Sequence, residues 1–136
     1  MRSSAQIKQV ARHYNAFGQF MKDRHGLPVY KVNVDAGFTC PNRDGKLAVG
    51  GCAYCDGRGS ALRQKGSLPS VAEQIRSGKA LYRNLRGAAK FIAYFQTFTN
   101  TYGPVGKLRA LYDEALMQED VIGISVGTRP ARRPRR

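Results

Sequence analysis

Apolar residues recur at Ile7, Val10, Tyr14, Phe17 and Met21, at the three- and four-residue spacing of one helix face, and Gly26 follows where a C-terminal cap belongs. The pattern predicts an amphipathic N-terminal helix. It then changes period: Val32, Val34, Ala36 and Phe38 alternate with Lys31, Asn33, Asp35 and Gly37, which sends successive side chains to opposite faces of a strand running into Cys40. From Thr39 to Leu68 periodicity is lost, and Asp44-Gly45, Gly50-Gly51 and Asp56-Gly57 mark turns. A long loop of this kind inside a small domain is usually functional.

Ser70, Val71, Ala72 and Glu73 form a capping-box sequence, and Val71, Ile75 and Tyr82 continue one apolar face, so a helix is expected from about Val71 to Leu85. The uninterrupted run Phe91 to Phe95 suits a strand covered on both faces, with Gln96 to Tyr102 as a polar continuation. Pro104 suits the first turn of a second helix lined by Val105, Leu108, Leu111, Tyr112, Ala115 and Leu116. Val121 to Val126 supplies a further strand. The order β, α, β, α, β implies an α/β fold with parallel strands joined by right-handed crossovers, and ligands in such folds sit beyond the carboxyl ends of the strands.

With 136 residues, 42% hydrophobic, seven Tyr and six Phe, the chain is sized for one domain and apolar enough for a real core. No apolar stretch approaches the roughly 18 residues of a membrane span, and the N-terminus lacks the apolar centre of a signal peptide. A cytoplasmic protein with no membrane association is expected. The formal charge of +14 favours anionic partners, RNA among them. Four arginines of that total lie within 131–136, and the rest of the chain stays strongly basic without them.

Candidate chemistry concentrates in the three cysteines, Cys40, Cys52 and Cys55, all in the loop after the first strand and spaced C-x11-C-x2-C. An odd number of cysteines without an export signal argues for metal or redox chemistry over a disulfide framework. A closed structural zinc site takes four ligands, and the histidines, His13 and His25, lie before the strand that carries the loop. A [4Fe–4S] cluster held by three thiolates keeps one iron open, which can bind S-adenosylmethionine and pass it an electron. The alternatives are a zinc-binding, basic RNA-binding module without catalysis and a non-functional fragment of a barrel enzyme.

The segments Val34-Asp35-Ala36-Gly37-Phe38-Thr39-Cys40-Pro41-Asn42-Arg43-Asp44-Gly45, Gly50-Gly51-Cys52-Ala53-Tyr54-Cys55, Ala93-Tyr94-Phe95-Gln96 with Thr99-Asn100-Thr101-Tyr102, and Ser125-Val126-Gly127-Thr128-Arg129-Pro130 resemble the YhcC-like radical SAM proteins. The resemblance implies the N-terminal part of a partial (β/α) radical SAM barrel, with the cluster on Cys40, Cys52 and Cys55. It further implies Tyr54 against the adenine of S-adenosylmethionine, with Gln96, Asn100 and Thr101 as further cofactor contacts. An electron donor such as flavodoxin or ferredoxin would supply the reducing equivalent. On this reading residues 1–30 are a helix and lead-in, 31–130 the first portion of the core, and 131–136 an aberrant arginine-rich tail on a truncated chain. Such a chain would hold a cluster but lack the units needed for turnover.

The remaining features have plainer expectations. Arg76, Lys79, Arg83 and Arg86 recur along one face of the second helix, where a basic stripe could track RNA phosphates or simply be solvated. Arg43 and Asp44 could form a local ion pair, and Asp113-Glu114 and Glu119-Asp120 read as solvated surface. His13 and His25 read as surface or helix-end residues.

Overall fold

The structure is a computed structural model that describes residues 13–56 and 67–129. The expected helical positions Ile7 and Val10, and the arginine-rich tail, lie outside the described residues. Helix α1 (Phe17–His25) ends where Gly26 turns left-handed, at φ 70°, and its N–H donates to the Lys22 carbonyl at 2.8 Å. Strand β1 (Val29–Val34) begins earlier and stops earlier than the alternation predicts. The Asp35 N–H leaves the ladder and donates to Gln74 Oε1 at 2.8 Å, while the Asp35 carboxylate accepts from the Gly37 N–H at 2.9 Å, a local turn that competes with strand pairing. Ala36 and Phe38 are buried all the same, so the alternation marks burial beyond the point where pairing ends.

Helix α2 (Val71–Arg86) starts at the capping box: the Glu73 N–H donates to Ser70 Oγ, and the Ser70 N–H donates to the Glu73 carboxylate at 2.8 Å. These hydrogen bonds from Ser70 hold the Glu73 carboxyl below its ordinary range. Strand β2 (Lys90–Phe95), helix α3 (Val105–Leu116) and strand β3 (Val121–Val126) follow, with Pro104 at the N-cap of α3. The strands pair in parallel in the order β1-β2-β3, with β2 in the centre. The expected barrel portion is thus reduced to an α/β arrangement with an open, three-stranded parallel sheet among the described residues.

One sheet face carries the core. Val34, Ala93 and Phe95 of the strands pack against Val71 and Ile75 of α2 and Ala115 of α3. Phe91, Phe95 and Ile75 are fully buried, and each contributes about 1.5–3 kcal/mol by leaving water. Helix α1 contacts β1 from the other face, where Lys31 Nζ lies 4.8 Å from the centroid of the Phe17 ring.

At the amino-terminal edge of β3 the acidic residues are not merely solvated. Asp120 takes φ 63°, accepts from Lys90 Nζ at 2.9 Å and pairs with Arg83; the Lys90 hydrogen bond is the main reason its carboxyl is held below the usual range. Lys79 is buried and donates to the Glu119 carbonyl. Glu114, across the helix pair, accepts from the Ala72 N–H at 2.8 Å and so satisfies an otherwise unpaired donor in the first turn of α2. The basic stripe is corrected accordingly: Lys79 and Arg83 clip α2 to the start of β3, which leaves a shorter basic face than the spacing implies.

Close packing of α2 on β1 rests on Gly78, where a Cβ would stand 2.4 Å from Val32 Cγ1. Val32 is 2% exposed and β-branched, so it has nowhere to turn. Glycine within a helix ordinarily costs about 1 kcal/mol relative to alanine, yet Gly78→Ala should destabilise by about 1–2 kcal/mol because overpacking outweighs that gain. Gly106→Ala in α3, where a Cβ meets nothing within 4 Å, should instead stabilise by up to about 1 kcal/mol. Urea denaturation of the two variants checks the opposite signs.

Candidate functional site

Parallel pairing brings the carboxyl ends of all three strands to one edge, and each is followed by a segment of the site. Cys40 follows β1, Gln96 to Asn100 follow β2, and Gly127 to Arg129 follow β3. Together with the cysteine loop they enclose an open cavity of about 240 Å³, whose lining includes Cys40, Cys52, Cys55, Arg43, Gln96 and Arg129. All three thiols are free. Among the described residues, no three His, Cys, Asp or Glu side chains converge closely enough to hold a single metal ion. The thiols therefore surround a common space without meeting at a point.

The loop achieves this by bonding to itself. The Arg43 N–H donates to the Cys40 carbonyl at 2.8 Å, the Leu47 N–H to the Pro41 carbonyl at 2.8 Å, and the Gly51 N–H to the Asn42 carbonyl at 3.0 Å, folding the second half of the loop over the first. A turn from Cys52 to Cys55, closed by a 2.9 Å hydrogen bond between their backbones, sets the last two cysteines side by side. Gly51, at φ +89°, lies against Arg43: a Cβ there would meet Nε at 2.7 Å. Arg43 in turn donates to the Asp56 carbonyl and lies over the Phe98 ring, 5.7 Å from its centroid. Asp44 accepts from the Lys46 N–H at 3.1 Å, so both residues shape the loop. Phe98 itself has φ 59°, an uncommon conformation for a bulky side chain, and it lines the cavity.

Two thiols are tuned by their neighbours. Burial pushes the Cys40 thiol up, but the Thr99 hydroxyl, which donates to its Sγ at 3.3 Å, the Asn42 backbone and the Arg129 guanidinium outweigh burial and hold it below its ordinary value. Cys52 is lowered first by Asn42, whose Nδ2 donates to its Sγ at 3.2 Å, then by Tyr54, with a further contribution from Arg129. The Tyr54 hydroxyl is raised correspondingly by its hydrogen bond to Cys52. Thiolate is the form that ligates metals, so the site favours the ligating state of these two residues.

Of the cofactor contacts expected from the sequence, Tyr54 and Gln96 line the cavity, Tyr54 with its ring largely open to solvent. Thr101 reaches the cavity's edge through a hydrogen bond between its hydroxyl and that of Thr128. Asn100 lies elsewhere: it is completely buried, and its Nδ2 donates to the carbonyls of Phe95 and Gly127, each at 3.0 Å. Its own N–H also donates to the Gly127 carbonyl at 3.1 Å. It is a clamp between the ends of β2 and β3. Sequence spacing gave no sign of the roles of Thr99, Asn42 and Arg129; polar residues at the carboxyl ends of parallel strands were the one signal that could have pointed to them.

Fold and site together define an α/β protein with a thiol-bearing loop at the carboxyl edge of a parallel sheet. No family model matches the chain, and no solved structure matches it. Similarity to individual curated proteins is clear. The chain is 39% identical over 119 residues to the uncharacterized protein YtqA of Bacillus subtilis, a match covering 88% of this chain and 37% of that protein. It is 39% identical over 123 residues to protein YhcC of Escherichia coli K12, covering 90% of this chain and 38% of the relative. Uncharacterized protein MJ0486 of Methanocaldococcus jannaschii is 34% identical over 116 residues, 84% of this chain and 34% of its own length. The chain thus spans less than two fifths of the length of these relatives. The expectation of a C-terminally truncated member of the YhcC-like radical SAM family is corrected: no family model matches, and what is found is partial similarity to proteins whose names assign no activity.

The Asn100 clamp can be tested directly. Asn100→Asp replaces a donor facing two carbonyls with an acceptor and introduces a buried charge. It should destabilise the protein by about 3 kcal/mol or more. The check is the denaturation midpoint, read beside an exposed control, Asn84→Asp.

Proposed function

We propose that Cys40, Cys52 and Cys55 hold a [4Fe–4S] cluster and that the cavity beside it takes S-adenosylmethionine. The observation that carries this reading is the three free thiols around one cavity at the carboxyl edge of the sheet, two of them held toward thiolate. Thiols spaced around a cavity suit a cluster, in which separate irons each take one thiolate. A single zinc ion would instead draw them all to about 2.3 Å. When bound, the cluster would supply the electron that cleaves the sulfonium of S-adenosylmethionine to methionine and a 5′-deoxyadenosyl radical able to abstract hydrogen from a substrate.

The chain's own residues ligate, orient and shield. The self-bonded loop holds the thiols in place, and Tyr54 and Gln96, which line the cavity, would present a ring and an amide to the cofactor. The parallel β–α–β–α–β order is that of the first units of a (β/α) barrel. Flavodoxin or ferredoxin is the class of electron donor this chemistry calls for. RNA is the substrate class that the basic composition favours.

Anaerobic reconstitution with iron and sulfide should give a brown protein with about four irons per chain. Cys40→Ala, Cys52→Ala and Cys55→Ala should each lose it. A colourless protein carrying stoichiometric zinc, or full iron and sulfide content in any single variant, would overturn the assignment.

A further inference from the structure

Around the thiols stands a layer of donors that the ligands alone do not require. Thr99 Oγ1 donates to Cys40 Sγ at 3.3 Å, and Asn42 Nδ2 donates to Cys52 Sγ at 3.2 Å. Arg129 lines the same cavity, and its Nη1 is buried without a hydrogen-bond partner among the described residues. A buried guanidinium N–H with no acceptor is costly, and such a group usually signals a partner that completes the site.

The position of Arg129 is built in. Immediately after β3 the Gly127 N–H donates to the Phe95 carbonyl at 2.7 Å, while the Gly127 carbonyl accepts from both the backbone and the side chain of Asn100. A Cβ on Gly127 would stand 3.1 Å from the Phe95 carbonyl oxygen, so the chain passes β2 at a separation that a larger residue would disturb. Two residues later the guanidinium stands at the thiols, held by the clamp between the strand ends.

We propose that Arg129, with Thr99 and Asn42, is a positioning layer that raises the reduction potential of the cluster held by Cys40, Cys52 and Cys55. The proposal rests on the cluster reading above. Reduction adds one negative charge to a site whose ligands are already anionic. A nearby guanidinium and hydrogen bonds to the ligand sulfurs stabilise that added charge. One arrangement of donors therefore eases a reduction that a weak biological donor would otherwise struggle to accomplish.

The test is a redox titration, followed by electron paramagnetic resonance, of the full chain reconstituted with iron and sulfide, as wild type, Arg129→Gln, Arg129→Lys and Thr99→Val. Arg129→Gln should shift the reduction equilibrium about tenfold toward the oxidised cluster, equivalent to about 59 mV more negative for one electron. Arg129→Lys should recover most of that shift because it keeps the charge. Thr99→Val should move the potential in the same direction by a smaller amount. A loaded Arg129→Gln protein with the wild-type potential overturns the proposal while leaving the cluster reading intact. If Arg129→Gln does not retain a cluster, Thr99→Val decides: a lower potential supports the donor layer and an unchanged one overturns it. A wild-type chain that takes up no iron and sulfide overturns both readings.

Discussion

The whole carboxyl edge of this protein depends on one buried amide. Asn100 joins the Phe95 carbonyl at the end of β2 to the Gly127 carbonyl beyond β3, and so reinforces the last backbone hydrogen bond between these strand ends, from the Gly127 N–H to the Phe95 carbonyl. Parallel strands cannot be closed by a tight turn; their ends stay together only by such side-chain bridges or by packing from the crossovers. Thr97 does the same work toward β1 by donating to the Asp35 carboxylate at 2.9 Å, and the Thr99 N–H reaches the Thr39 carbonyl at 3.3 Å. Cys40 thus stands in fixed relation to Thr99 on one side and Arg129 on the other.

The electrostatic character of the site follows from that framework. The chain is strongly basic, yet only particular cations act locally. Lys79, Arg83 and Lys90 are engaged at the opposite edge of the sheet, where Asp120 and the Glu119 carbonyl gather them. Arg43 and Arg129 both line the cavity, and the Arg129 guanidinium is among the groups that hold the Cys40 and Cys52 thiols below their ordinary values. The division is between an amino edge that fastens α2 to β3 and a carboxyl edge that presents chemistry.

Much of this was readable from residue patterns, and the exceptions have physical causes. The capping box at Ser70, the cap at Gly26 and the apolar run of β2 are local signals, and the structure places α2, the end of α1 and β2 close to where they predict. The shortfall of β1 was not readable, because alternation continued through Phe38 while a contact distant in sequence, from Asp35 to Gln74, had already ended the pairing. The basic stripe on α2 misled for a similar reason: spacing shows that Lys79 and Arg83 share a face, but not that β3 brings Glu119 and Asp120 beneath them. Among the candidate-site residues, the spacing of the cysteines showed that they share one loop, and the structure sets them around one cavity. Asn100 looked like a polar contact for a ligand and is a structural clamp, a distinction that only its burial reveals.

We propose that the three thiolates hold a cluster with one iron left open. Mössbauer spectra of protein reconstituted with isotopically enriched iron test it most directly, recorded before and after addition of S-adenosylmethionine. One iron site should be distinct from the others and change alone when S-adenosylmethionine is added. Spectra of a mononuclear ion, or a cluster whose irons are all insensitive to S-adenosylmethionine, would contradict the account.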